Sequence, residues 1–119
     1  MPTRQEPMAV IGAGSWGTAL AIQLARAGHP TYLWGRDAAQ LEAMIRDRRN
    51  ARYLPEARFP AALRIEADLG SALKNARDAL VAVPSDAFRA MLEKLYGPMG
   101  LQSNFQVHFF DPKPAKPTR

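Results

Sequence analysis

The chain has 119 residues, enough for one domain with a hydrophobic core and too few for two full domains. Hydrophobic residues make up 47% and charged residues 23%, no apolar run is long enough to cross a bilayer, and cysteine is absent, which excludes a disulfide framework and thiolate chemistry. The net charge of +5 suits a phosphate-bearing ligand, but no aromatics interleave with the basic residues as a nucleic-acid platform requires, so nucleic acid ranks last among partners.

Residues 1–7 are polar, lack the apolar core of a secretory signal, and read as a disordered leader of a cytoplasmic protein. Met8-Ala9-Val10-Ile11 is a short apolar run ending at glycine, as expected of a buried parallel strand. Ser15 to Ala27 shows helical spacing of Ala19, Leu20, Ile22, Leu24 and Ala25, with Gly28 as terminator. Thr31 to Trp34 reads as a second strand. Asp37 can cap a helix from Ala38 to Arg48 with Leu41, Met44 and Ile45 facing inward, and Arg46 to Arg49 reads as its solvated face. Residues 50–62 read as less regular, because Pro55 and Pro60 interrupt any helix or central strand.

Leu63 to Ala67 reads as a third strand, and Asp68 caps a short helix through Ala76. Asp78 to Val83 is a strong strand ended by Pro84, Ser85 or Asp86 caps a helix through Leu95, and Phe105 to Phe110 supplies a last strand. The tail from Asp111 to Arg119 holds three prolines and reads as disordered. Alternating strands and helices predict a doubly wound α/β fold: about five parallel strands covered on both faces, in a single domain over residues 8–110.

Gly12-Ala13-Gly14-Ser15-Trp16-Gly17 fits G-x-G-x-x-G, and it follows a predicted strand and opens a predicted helix, the context that gives the motif meaning. Gly12 permits the tight turn, Gly14 lets a pyrophosphate approach the backbone, and Gly17 lets helix and strand pack closely. The first helical turn offers unpaired N–H groups and the positive end of its dipole to the phosphates. This is the Rossmann-type arrangement for a dinucleotide. NAD-binding units place an acid at the end of the second strand, to hold the ribose 2′-hydroxyl; here Gly35 holds that place and Arg36 follows. A missing acid followed by arginine suits a 2′-phosphate, which favours NADP over NAD. A one-residue slip would instead bring Asp37 to the ribose; a helix cap is the preferred reading of Asp37.

Val10-Ile11-Gly12-Ala13-Gly14-Ser15-Trp16-Gly17-Thr18-Ala19-Leu20-Ala21 resembles the opening signature of the glycerol-3-phosphate dehydrogenases that use NAD(P). Trp34-x-Arg36, Asn50-Ala51-Arg52-Tyr53-Leu54-Pro55 with Phe59-Pro60, and Val83-Pro84-Ser85 are similar to segments of the same family in the same order. The resemblance runs from Met8 to about Leu95 and stops past Tyr96. It implies hydride transfer between dihydroxyacetone phosphate and sn-glycerol 3-phosphate, within glycerophospholipid metabolism. It implies that Ser15 and Trp16 contact the dinucleotide beside its phosphates and Arg36 its adenosine end. Tyr53 would close over the cofactor, and Val83 and Pro84 would line the nicotinamide side. Trp16 and Tyr53 also fit core aromatics, Ser15 a helix cap, Arg36 a surface arginine and Pro84 a strand end.

The family's catalytic lysines, one in a Thr-Lys-Gly segment and one in a helical carboxy-terminal domain, have no counterpart here. The lysines are Lys74, Lys94, Lys113 and Lys116, and Lys113 lies between Pro112 and Pro114 with no glycine after it. No catalytic residue and no metal ligand is therefore assigned, and the chain alone is expected to bind cofactor without turnover. The ending reads as a truncation, a shifted frame or a divergent tail. A missing substrate domain would leave apolar surface open to self-association, which Phe105, Phe109 and Phe110 would partly cover, or to a separate chain supplying that domain. The alternatives are a non-catalytic nucleotide-binding module and the cofactor domain of a related hydroxy- or keto-acid dehydrogenase.

Overall fold

In the first strand, β1 (Met8–Ile11), Ala9, Val10 and Ile11 are fully buried, as an apolar run in the middle of a covered sheet must be. The structure, a computed structural model, describes residues 6–83, 87–96 and 106–109. The parallel strands β1, β2 (Thr31–Trp34), β5 (Leu63–Ile65), β6 (Asp78–Val81) and β7 (Gln106–Phe109) form one sheet in the order β5-β2-β1-β6-β7. Order reverses at β1: the chain moves outward through β2 to β5, then returns to β1's other side for β6 and β7. That reversal opens a crevice beyond the carboxyl ends of β1 and β6, where open α/β sheets bind ligands.

The register sets the height of that crevice. Ile11 lies abreast of Trp34 on one side and of Val81 on the other, so three strands end on one row. The residues that follow are tied together: the Gly12 amide donates to the Trp34 carbonyl at 2.7 Å, and the Ala82 amide to the Ile11 carbonyl at 2.8 Å.

Helices α1 (Ser15–Arg26), α2 (Ala38–Asp47), α3 (Leu69–Lys74) and α4 (Phe88–Tyr96) connect the strands. α1 buries Gly17, Thr18, Ala21, Ile22 and Ala25, a stripe at helical spacing. It ends as its sequence requires. Gly28 takes φ 104°, its amide bonds the Ala25 carbonyl, and the His29 amide bonds the Leu24 carbonyl, the paired closure that a glycine with positive φ allows. Asp37 caps α2, accepting from the Gln40 amide at 3.2 Å, and Asp68 caps α3 through the Ser71 amide at 2.9 Å. The predicted caps of α4 at Ser85 and Asp86 lie outside the described residues, as do residues 1–5 and 110–119. Glu6 and Pro7, placed in the leader by the sequence reading, are described; the Pro7 carbonyl accepts from the Arg77 amide at 2.9 Å.

Several details differ from the sequence expectation, among them the following. Residues 49–58, within the stretch expected to be less regular, form a hairpin of β3 (Arg49–Asn50) and β4 (Leu54–Arg58), and Pro55 sits in neither a helix nor a central strand, as expected. Each strand of a two-stranded sheet keeps a free edge, so a proline without an N–H is tolerated there. Ile45 is not inward-facing: it is 49% exposed, whereas Leu41 and Met44 are buried. At 3.6 residues per turn Ile45 sits about 70° from the centre of the Leu41–Met44 stripe. Arg48 is not part of a solvated face. It ends α2 at φ 54°, and its Nη2 donates to the carbonyls of Pro60 at 2.9 Å and Leu63 at 2.8 Å.

Candidate functional site

A cleft of about 380 Å³ opens at the carboxyl ends of β1, β2 and β6. Gly12, Gly14, Ser15, Trp16, Gly17, Arg36 and Tyr53, seven of the eight residues singled out from sequence, line it together with Ala13, Trp34, Gly35, Ala82, Val83 and Met91. The eighth, Pro84, lies outside the described residues; its neighbour Val83 is on the wall.

The glycines divide by task. A Cβ built on Gly17 would lie 1.8 Å from the Gly12 carbonyl oxygen, so this position holds α1 against the loop that precedes it. Gly12 itself has φ 121°, and a Cβ there would lie 2.3 Å from the Ala82 carbonyl oxygen. Both are closed by the protein's own backbone. Gly14 differs: nothing lies within 4 Å of its Cβ position. It is the N-cap of α1, with no side-chain hydrogen bond closing the helix end. Ser15 is therefore the first helical residue and not the cap. The space over Gly14, together with a helix start open to donation, fits a phosphate group approaching the backbone.

The end of β2 is packed in a way that excludes an acid. Gly35 is buried, and a Cβ on it would lie 2.8 Å from the Ala13 Cβ. Any side chain at Gly35 would thus be crowded by the glycine loop. Arg36, next in sequence, is exposed and lines the cleft, and it makes no ion pair with a described residue. Asp37 is engaged elsewhere: it caps α2, accepts from Arg52 Nη1 at 3.4 Å, and is not among the cleft-lining residues.

Trp16 and Tyr53 are not core aromatics. They are 51% and 44% exposed and stand at the cleft. Tyr53 is carried by the turn between β3 and β4, where its amide bonds both the Oδ1 and the backbone carbonyl of Asn50 at 3.3 Å. The Arg52 guanidinium lies 5.6 Å from the centre of its ring.

Asn50 is the site residue that pattern reading missed. It is fully buried, its Nδ2 donates to the Ala13 carbonyl at 3.0 Å and to Thr18 Oγ1 at 2.8 Å, and Gln40 Nε2 reaches both that carbonyl (3.1 Å) and Asn50 Oδ1 (3.4 Å). One buried amide thereby joins the glycine loop, α1, α2 and the Tyr53 turn. Its polarity gave no sign of burial; the sequence signal was its place at the head of the Asn50–Pro55 segment.

Among the described residues no group of three or more His, Asp or Glu could hold a metal ion, and no helix is long and apolar enough to cross a membrane.

A family profile described as the N-terminus of NAD-dependent glycerol-3-phosphate dehydrogenase matches residues 7–107. The chain is 57% identical over 91 residues to the glycerol-3-phosphate dehydrogenase [NAD(P)+] of Thioalkalivibrio sulfidiphilus, covering 76% of this chain and 27% of that protein. It is 54% identical over 95 residues to the enzyme of the same name from Yersinia pestis, covering 80% and 28%. Among solved structures, glycerol-3-phosphate dehydrogenase from Coxiella burnetii superposes with a TM-score of 0.83 at 36% identity, over 90% of this chain and 32% of that one. The chain thus spans roughly a quarter to a third of these relatives. With the parallel order β5-β2-β1-β6-β7 and the glycine loop at its switch point, the chain belongs to the family of amino-terminal, NAD-binding domains of glycerol-3-phosphate dehydrogenase.

Proposed function

We propose that the cleft binds NADP(H) in preference to NAD(H), as the cofactor half of a cytoplasmic oxidoreductase that interconverts dihydroxyacetone phosphate and sn-glycerol 3-phosphate. The observation that carries this reading is the pairing of a crowded Gly35 with an Arg36 that makes no ion pair with a described residue, at the end of β2. A guanidinium can bind a phosphate monoester through two parallel hydrogen bonds, whereas a ribose hydroxyl calls for an acceptor, and among the described residues no acid lines this cleft.

The pyrophosphate would lie over Gly14 at the start of α1, Trp16 and Tyr53 would flank the bound molecule, and Val83, with Pro84 after it, would face the nicotinamide. When bound, the dinucleotide supplies hydride to a carbonyl carbon. The chain's own part is to bind, orient and shield. Among the described residues lining the cleft there is no carboxylate, histidine or lysine to move the substrate proton, so turnover requires groups from a substrate domain, in the same polypeptide or a second one.

Two assays test this. NADPH should quench the fluorescence of Trp16 and Trp34, which both line the cleft, along a saturable curve that loses part of its amplitude in Trp16→Phe. The same chain mixed with NADPH and dihydroxyacetone phosphate should consume no NADPH above a blank. A flat titration overturns the cofactor assignment, and steady consumption overturns the division of labour.

A further inference from the structure

A second, smaller cleft of about 230 Å³ adjoins the first and shares Arg36, Val83 and Met91 with it. Its other walls come from α4 and the residue just before it: Ala87, Ala90 and Lys94. The slot thus has apolar sides and two cations, one from the end of β2 and one from the helix that follows β6. We propose that Lys94 is a second determinant of cofactor choice, acting with Arg36 on the 2′-phosphate of the dinucleotide; this rests on the NADP reading of the main cleft.

Three observations support it. First, the two cations belong to elements far apart in sequence, yet they line one cavity, and neither forms an ion pair with a described residue. Two like charges facing one small space repel each other and gain by receiving an anion between them. Second, Lys94 is held in place. Its Nζ lies 5.4 Å from the centre of the Trp34 ring, and Trp34, 7% exposed, is fixed by the sheet two residues before Arg36. The ring attracts the ammonium electrostatically and sets no opposite charge against it. Third, the charges match. A phosphate monoester carries close to two negative charges at neutral pH, and one arginine leaves part of that uncompensated. Arg36 supplies the planar fork and Lys94 a compact point charge.

Calorimetric titrations of the 119-residue chain with NADPH and NADH separate the possibilities. Lys94→Met keeps the aliphatic stem and removes the charge; Lys74→Met makes the same charge change on α3, away from both clefts. Lys94→Met should weaken NADPH binding roughly tenfold and leave NADH unchanged, and Lys74→Met should change neither. Lys94→Arg should restore most of the loss, and the Lys94→Met effect should shrink at high salt. If Lys94→Met binds NADPH as tightly as the unmodified chain, or loses NADH equally, the inference falls. If Arg36→Ala alone weakens NADPH, the cofactor reading stands and only the role of Lys94 is overturned. If the unmodified chain binds neither dinucleotide, both are overturned.

Discussion

The side-chain amide of Asn50 donates to the carbonyl of Ala13 at 3.0 Å, joining the β3–β4 hairpin to the middle of the glycine loop. The bond is fully buried, and the same Nδ2 reaches Thr18 Oγ1, so the hairpin and α1 are set by one side chain. Asn50→Ala should therefore cost about 2 kcal/mol, because Thr18 Oγ1 loses its donor inside the protein while Ala13 keeps only Gln40. Asn50→Asp should cost more, since it sets a second acceptor against the Ala13 carbonyl. Urea unfolding midpoints check the order, and both variants should also bind dinucleotide less tightly.

The glycines of the loop should separate by experiment as they do by geometry. Gly17→Ala puts a Cβ onto the Gly12 carbonyl and should lower stability by several kcal/mol, with binding lost alongside. Gly14→Ala meets nothing within 4 Å and has φ −79°, so its stability should stay within about 0.5 kcal/mol. Its cofactor affinity should nonetheless fall tenfold or more, because the methyl group would fill the open space proposed for the phosphate. Thermal melts paired with titrations read both effects.

The arginine cluster after α2 should prove unequal. Arg48 donates to two carbonyls and lies 5.7 Å from the centre of the Phe59 ring, whereas Arg46 pairs only with its exposed neighbour Asp47. Arg48→Ala should destabilise by about 2 kcal/mol, and Arg46→Ala by less than about 0.5 kcal/mol. Equal melting temperatures for the two variants would contradict this assignment.

Asp37 is a cap, and it should behave as one. Asp37→Ala should cost about 1 kcal/mol, in line with loss of the bond from the Gln40 amide, and leave the ratio of NADPH to NADH affinity unchanged. A selective loss of NADH binding would instead place its carboxylate on the ribose.

Much of this was legible in the chain because the signals are local. The strand at Met8–Ile11, the glycine spacing, the Gly28 terminator and the caps at Asp37 and Asp68 each declare themselves within a few residues. The resemblance to the glycerol-3-phosphate dehydrogenases came from segments of the same kind. What escaped depends on distant partners. Arg48 is defined by Pro60 and Leu63, and Asn50 by Ala13 and Thr18, contacts that no local pattern encodes. The β3–β4 hairpin escaped because a free strand edge that tolerates Pro55 is a tertiary property. Ile45 read as core because the width of a buried helical stripe depends on what lies opposite.

The central claim is that Arg36, beside a Gly35 closed to any acid, reads a 2′-phosphate. It is tested most directly by calorimetric titration of the chain and of Arg36→Ala with NADPH and NADH. The chain should bind NADPH more tightly than NADH, and Arg36→Ala should narrow that gap about tenfold or more by weakening NADPH alone, leaving only the share that Lys94 supplies. An undiminished preference in Arg36→Ala, or no saturable binding of either dinucleotide, would contradict it.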